Sequence, residues 1–287
     1  MTRQIHDIHN SQIHAPSVYP QDGGKNGVWT FADIEGTGNQ DLVFIKTRQT
    51  RVGKVELRAA SQESDYKDAI LIITTAFRIE DNGTWLMLDW TRDGRADLVY
   101  IKTRHTESGK VEVHVVDAAS GYQNFVLHKA TCFSPEDNGT WTMSTTGDLV
   151  YIKTRNTGSG FVEYHVASRA SDYQEFTNHK ATWFTAEENG TWCLSPTMDG
   201  EFADLFYIKT KNTQTHQIEV HGASARSDFQ EPLINTETGF DLEANGTWHM
   251  INYARAPNEE PPSLPDLAYI KTKNTGTGEV EVHINEA

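Results

Sequence analysis

The chain repeats itself five times. The core Ile-Lys-Thr recurs at Ile45, Ile101, Ile152, Ile208 and Ile270, and Asn-Gly-x-Trp recurs at Asn26, Asn82, Asn138, Asn189 and Asn245. Successive Asn-Gly-x-Trp starts lie 56, 56, 51 and 56 residues apart. Self-similarity at a fixed period constrains architecture more than any local signal. Five copies in 287 residues leave no room for a second domain. The expected units run near 24–77, 78–133, 134–184, 185–240 and 241–287.

One unit, read over residues 82–133, predicts four short strands. Thr84 to Leu88 alternates polar and apolar residues, and Asp97 to Arg104 is rich in β-branched and aromatic residues. Lys110 to Val116 and Phe125 to Thr131 follow after turn-forming stretches. No stretch carries a helical period. Four antiparallel strands repeated at this spacing are the blade of a β-propeller. A solenoid would need atypical capping units at both ends. Here the ends complement one another instead. The last copy stops after its third strand, at Val280 to Ile284, while Ser11 to Tyr19 aligns with fourth strands such as Phe125 to Phe133. The expectation is an all-β, five-bladed propeller, with residues 11–23 closing the last blade and removing an open sheet edge.

The second and third strands carry a checkable register. Lys46 and Glu56, Lys102 and Glu112, Lys153 and Glu163, Lys209 and Glu219, and Lys271 and Glu281 stand ten apart. A hairpin centred between them sets each pair opposite. It also sets Tyr100 against His114, Tyr151 against His165, Tyr207 against His221 and Tyr269 against His283, with Phe44 against Arg58 in the first copy. Most of this ladder is expected to be structural.

Charge and composition exclude several classes of partner. A formal net charge of −15 argues against nucleic acid and against an anionic membrane surface. Cys132 and Cys193 fall at different repeat offsets, as neither a disulfide framework nor a metal knuckle would. No run of 18 apolar residues spans a membrane, and the first residues lack the apolar core of a secretory signal. The expectation is a cytoplasmic protein, a monomer or small homo-oligomer, with non-classical release as a route outward. The Asn-Gly-Thr triplets at Asn82, Asn138, Asn189 and Asn245 are formal glycosylation sequons, but chain reversal and strand formation account for them.

Asp41, Asp97, Asp148, Asp204 and Asp266 open the second strand of every copy, and the stronger reading is that each accepts backbone N–H groups from its loop. In the second copy Asp89, Asp93 and Asp97, with Thr91 and Gly94, resemble the calcium loops of integrin-type propeller repeats. The other copies depart from it: the third is five residues shorter there, the fourth has Asp199-Gly200 out of step, and the fifth carries a Pro-rich insert from Ala256 to Pro265. Calcium is therefore a candidate in one or two copies and no cofactor is required.

Catalysis by a glycosidase needs two carboxylates in unlike environments. The acids here recur in register, and no zinc-protease, nucleophile-elbow or phosphate-loop motif occurs. The repeated loops point instead to a repeated site. Asn-Gly-x-Trp links and Lys-Thr-Arg hairpins share one face of the disc. The candidate ligand-binding residues are Trp29, Trp85, Trp141, Trp192 and Trp248, Asn82, Asn138, Asn189 and Asn245, Arg48, Arg104, Arg155, Lys211 and Lys273, and His114, His165, His221 and His283. Wedge packing between blades is the competing role for the tryptophans. Should this face be silent, the loops of Tyr66, Tyr122, Tyr173 and Phe229 on the other face are next.

The tandem pattern Asp-Leu-Val-Tyr-Ile-Lys-Thr-Arg-Asn-Thr-Gly-Ser-Gly, with Val-Glu-Val-His and Asn-Gly-Thr-Trp, resembles propeller repeats of fungal and bacterial lectins. It is also similar to repeats attached to secreted microbial hydrolases. The resemblance covers nearly the whole chain and implies multivalent sugar binding between blades, without catalysis. On this reading the chain is a lectin for defence or cell-surface recognition, with glycans or glycoproteins as partners. The alternatives are a glycoside hydrolase with its acids at the propeller channel, or a protein-interaction propeller.

Overall fold

The computed structural model describes residues 11–196, 203–253 and 264–285. The Asp199-Gly200 deviation and residues 256–263 of the Pro-rich insert lie outside the described residues.

Five four-stranded antiparallel sheets form a ring. Numbering starts with the closing strand: β1 is Ser11–Pro20, which belongs to blade five. Blade one is then β2 (Gly27–Ala32), β3 (Asp41–Lys46), β4 (Lys54–Ala60) and β5 (Ala69–Arg78). Blade two is β6 (Gly83–Leu88), β7 (Asp97–Lys102), β8 (Glu112–Val116) and β9 (Phe125–Ala130). Blade three is β10 (Gly139–Met143), β11 (Leu149–Lys153), β12 (Phe161–Ala167) and β13 (Phe176–Thr185). Blade four is β14 (Gly190–Pro196), β15 (Ala203–Lys209), β16 (Gln217–Ala223) and β17 (Pro232–Asp241). Blade five is β18 (Gly246–Ile251), β19 (Asp266–Lys271) and β20 (Glu279–Asn285), completed by β1 in the order β1-β20-β19-β18.

The closing strand pairs as the repeat predicts, with His14 opposite His283 and Ala15 opposite Val282. It also joins blade five to blade one through a staple that recurs around the ring. Val18 N–H donates to Tyr66 O at 2.9 Å. Elsewhere Ala76 donates to Tyr122, Cys132 to Tyr173 and Trp183 to Phe229, at 2.9–3.0 Å. The aromatic residue of each staple has positive φ, between 61° and 63°, and is 0–4% exposed. Tyr66, Tyr122, Tyr173 and Phe229 thus pin blade to blade and offer no ring to solvent, which corrects their candidacy as an alternative binding surface.

The middle strands carry apolar residues on both faces because each blade is sandwiched between two others. Leu42, Val43, Ile45, Leu98, Val99 and Ile101 are fully buried. The expected Lys–Glu and aromatic–His pairs are all found opposite one another, from Lys46↔Glu56 and Phe44↔Arg58 to Lys271↔Glu281 and Tyr269↔His283.

Asn-Gly is not the hairpin turn that the dipeptide suggests. Its glycine opens the inner strand hard against the second. A Cβ on Gly27, Gly83, Gly139, Gly190 or Gly246 would fall 1.8–2.1 Å from the carbonyl oxygen of the facing isoleucine. The hairpin that does require left-handed backbone is the one after the Lys-Thr motif. There His216 adopts φ 62° where Gly53, Gly109, Gly160 and Gly278 stand in the other blades.

Candidate glycan site between the blades

The strand-opening aspartates are clamps. Asp41 accepts the N–H of Ile34 and of Gln62, and Asp97 accepts those of Thr91 (2.7 Å) and Ala118 (2.8 Å). Asp148 and Asp204 accept the N–H of Arg169 and Ala225 at 2.8 and 2.6 Å. Asp41 and Asp97 thereby each join the loop before the second strand to the loop after the third. Burial raises the pKa of Asp41 and Asp97 above the ordinary value, and these backbone bonds counter it only in part.

The carboxylates named for calcium in blade two make bonds of the same kind. Asp89 accepts from Asp93 N and Gly94 N, Asp93 accepts from Arg95 N, and Asp97 is fully buried between its two donors. The three carboxylates are turned to their own backbone and do not converge on one centre.

The tryptophans are 2–6% exposed. Each stacks on the aromatic residue opposite it in the second strand, Trp29 on Phe44 and the others on Tyr100, Tyr151, Tyr207 and Tyr269, with ring centroids 4.1–4.3 Å apart. Wedge packing is what the structure shows for them. The link asparagines tie inner strand to hairpin. Asn82 and Asn138 Nδ2 donate to Arg104 O and Arg155 O at 2.8 and 2.9 Å, and their Oδ1 atoms accept from Tyr100 and Tyr151 hydroxyls. Asn189 and Asn245 instead accept from Asn212 and Asn274 at 2.8 and 2.9 Å. Arg48, Arg104, Arg155, Lys211 and Lys273 are exposed on this rim. Arg104 Nη2 donates to Asp81 O at 2.8 Å, and Arg155 pairs with Glu188 at 2.6 Å. A cavity of about 510 Å³ does lie on the expected face between blades two and three, walled by Arg104, Glu136 and Trp141.

The most chemically dense cavity is on the outer flank, where β5 of blade one faces blade two. It measures about 600 Å³ and is walled by Phe77, Tyr100 and Phe125. Into it project Glu80, Lys102, Glu112 and His114. Lys102 Nζ is 2.8 Å from Glu80, and Glu112 Oε2 is 3.5 Å from His114 Nε2. Burial raises the pKa of Glu112, but hydrogen bonds from Ser108 Oγ (2.7 Å) and Ser108 N (3.2 Å), with His114 and Lys102 nearby, more than offset it and hold the carboxyl below its usual range.

The constellation recurs. Glu136 and Glu163 stand with Lys153 and His165, Glu187 and Glu219 with Lys209 and His221, and Glu243 and Glu281 with Lys271 and His283. Blade one breaks it, with Arg58 for the histidine and Gly24 for the link glutamate. The equivalent cavity of blade five holds about 220 Å³. The link glutamates Glu80, Glu136, Glu187 and Glu243 were missed by sequence reasoning. Their signal was present, a glutamate two residues before every Asn-Gly-Thr.

Burial pushes His114 and His283 down to about 4, with the neighbouring His128 and His14 acting the same way and Glu112 and Glu281 opposing. The unfolded chain takes up these protons as pH falls through about 6.5, and the folded chain refuses them until about 4. Stability is therefore complete above pH 6.5 and is lost progressively down to pH 4. The lowered Glu112 and Glu163 act in the same direction at acid pH, while the raised Asp41 and Asp97 act against it. Thermal melts should show a falling melting temperature across this window, with a shallower fall in His114→Gln. A flat profile from pH 7 to 4 would contradict the burial of neutral imidazoles.

The central channel, enclosed by the five inner strands, holds about 320 Å³ and is lined by residues such as Thr30, Leu86, Thr142, Cys193 and His249. No Asp or Glu lines it among the described residues. Among the described residues, the strand-opening aspartates accept backbone N–H groups of the loops and the link glutamates pair with the Lys–Glu–His ladder.

No family model and no curated protein matches the sequence. Among solved structures, the chain is similar to the catalytic domain of a GH62 α-L-arabinofuranosidase from Coprinopsis cinerea, with TM-score 0.55 and 10% identity over 98% of both chains. A GH62 hydrolase in complex with xylotriose matches with the same TM-score, identity and coverage. What is shared is the fold. The comparison corrects the expectation of a non-catalytic lectin: both of these solved structures, matched along nearly the whole chain, are glycoside hydrolases, and no family model supports the lectin resemblance.

Proposed function

We propose that the chain is a glycoside hydrolase acting on a polysaccharide in the flank cavity of blade two. The observation that carries this is the placement of two carboxylates of unlike surroundings, Glu80 and Glu112, in one cavity with aromatic walls. Glu112, 14% exposed and held ionised by Ser108, suits the base or nucleophile. Glu80, 37% exposed at the mouth with Lys102 2.8 Å away, takes the role of proton donor. Phe125, 47% exposed, presents apolar surface to a sugar ring over the buried Phe77. The hydrolase fold supports the reading, and the xylotriose complex makes xylan and arabinose-substituted xylan the first substrates to try.

The test is reducing-sugar release from these polysaccharides, with product chromatography. Release should fall at least about 100-fold in Glu112→Gln, the scale of a lost acid–base group, while calorimetry shows substrate still binding. Replacing Glu112, Glu163, Glu219 and Glu281 together by Gln should abolish release if other blades contribute. Saturable binding with no release from the wild-type protein would overturn the proposal, as would activity surviving the fourfold variant.

A further inference from the structure

We propose that the outer flank of the ring also binds divalent transition-metal ions, at a histidine pair repeated in three blades. The inference does not depend on the hydrolase reading. In blade two His114 on β8 lies opposite His128 on β9; in blade three His165 on β12 lies opposite His179 on β13; in blade five His283 on β20 lies opposite His14 on the closing strand. The ring centroids are 4.1, 4.2 and 4.2 Å apart. In blades two and five the two Nδ1 atoms face each other at 2.8 and 2.7 Å. Two facing imidazole nitrogens at that distance share a single proton as N–H···N, and a divalent cation can take the proton's place. In blades three and five a carboxylate joins the cluster, so that donor atoms of Glu163, His165 and His179, and of His14, Glu281 and His283, all fall within 4.8 Å of one another.

The donor set selects the ion. Imidazole with one carboxylate suits zinc, copper or nickel rather than calcium or magnesium. Zinc–nitrogen bonds of about 2.0–2.1 Å place tetrahedral ligand atoms roughly 3.3 Å apart, so the pair must open by about half an ångström. That motion is available, because His14, His128 and His179 stand on the exposed outermost strands. The buried partner is already oriented: Nε2 of His114, His165 and His283 lies 3.4–3.6 Å from Glu112, Glu163 and Glu281. In blade two, where Glu112 stands outside the cluster, such a carboxylate behind a ligating histidine fixes the ring and raises its basicity.

The repeat supplies its own controls. Blade four keeps His221 but has Asn235 opposite it, at 2.6 Å, and blade one has Arg58 opposite Ile72. Calorimetric titration of zinc and of nickel into chelator-treated protein should saturate at three ions per chain. His14→Ala, His128→Ala and His179→Ala should each remove one ion, and His221→Ala none. Asn235→His should add a fourth. All five positions changed to Ala or His here are exposed or half-buried, and a thermal melt in chelator confirms that each variant folds. Wild-type binding no greater than that of the triple alanine variant would overturn the proposal, as would a stoichiometry that ignores these substitutions.

Discussion

Deleting residues 1–20 should lower the melting temperature by roughly 10–20 °C, at about 2–4 °C per kcal/mol for a chain of this size. β1 is one quarter of blade five, and its loss leaves β20 as an open edge with unpaired backbone groups. It also removes Ala15 and Tyr19, each 6% exposed, from the core they share with Trp29, Phe44 and Ile284. Tyr19 alone donates its hydroxyl to Ala59 O at 2.8 Å, and burial raises its pKa to about 12, so that bond is made by the neutral phenol. Truncating such an aromatic costs about 3–5 kcal/mol before any strand pairing is counted. The Val18–Tyr66 staple, which holds blade five to blade one, goes with it. Differential scanning calorimetry of the deletion and of Tyr19→Ala decides the matter. Equal melting temperatures for the deletion and the full chain would show that the ring does not need its closing strand.

The fold was legible because the repeat states it five times. Strand register followed from the ten-residue Lys–Glu spacing, since a tight hairpin fixes which residues stand opposite. Closure followed from one missing strand and one orphan. The site was less legible for a physical reason. Sequence repetition does not distinguish residues copied for packing from residues copied for a ligand, and both classes here recur in blades two to five. The tryptophans were copied for packing. The asparagines and the strand-opening aspartates were copied because their side chains close loops through backbone hydrogen bonds. The link glutamates, by contrast, are brought to the Lys–Glu–His ladder only by the tertiary turn between blades, which no local period reveals.

The departures from symmetry narrow the site further. A perfect ring would present equal pockets, whereas the cavity of blade two is about 600 Å³ and that of blade five about 220 Å³. Phe125 lines the wider one and packs edge-on against Phe77 at 4.8 Å. The closing strand has no phenylalanine on its described outer face, which leaves blade five with Phe240 and Trp248 alone as aromatic wall beside Tyr269. Copies drift apart at the rim of the cavity while the Lys–Glu pair beneath it stays constant, so any difference in activity between blades should track the rim aromatics.

Replacing Trp141 by Ala should cost about 3–5 kcal/mol, the usual penalty for removing a buried aromatic. The ring is 5% exposed, stacks on Tyr151 at 4.2 Å with planes 21° apart, and receives the edge of Phe133 at 5.0 Å. Its Nε1–H donates to Glu136 O at 3.1 Å, which holds the link that carries Glu136 and Asn138. Without the indole, Tyr151 loses its stacking partner, and its hydroxyl contact to Asn138 is no longer braced. The cavity left behind would merge with the 510 Å³ cavity beside Arg104, so water can enter and the cost belongs toward the lower part of the range. Trp141→Phe keeps the stack on Tyr151 and gives up the hydrogen bond, and should lose about 1–2 kcal/mol. Denaturant melts of the two variants separate packing from ligand contact. An unchanged midpoint in Trp141→Ala, with glycan binding lost, would make the tryptophan a sugar shelf rather than the wedge on which blades two and three close.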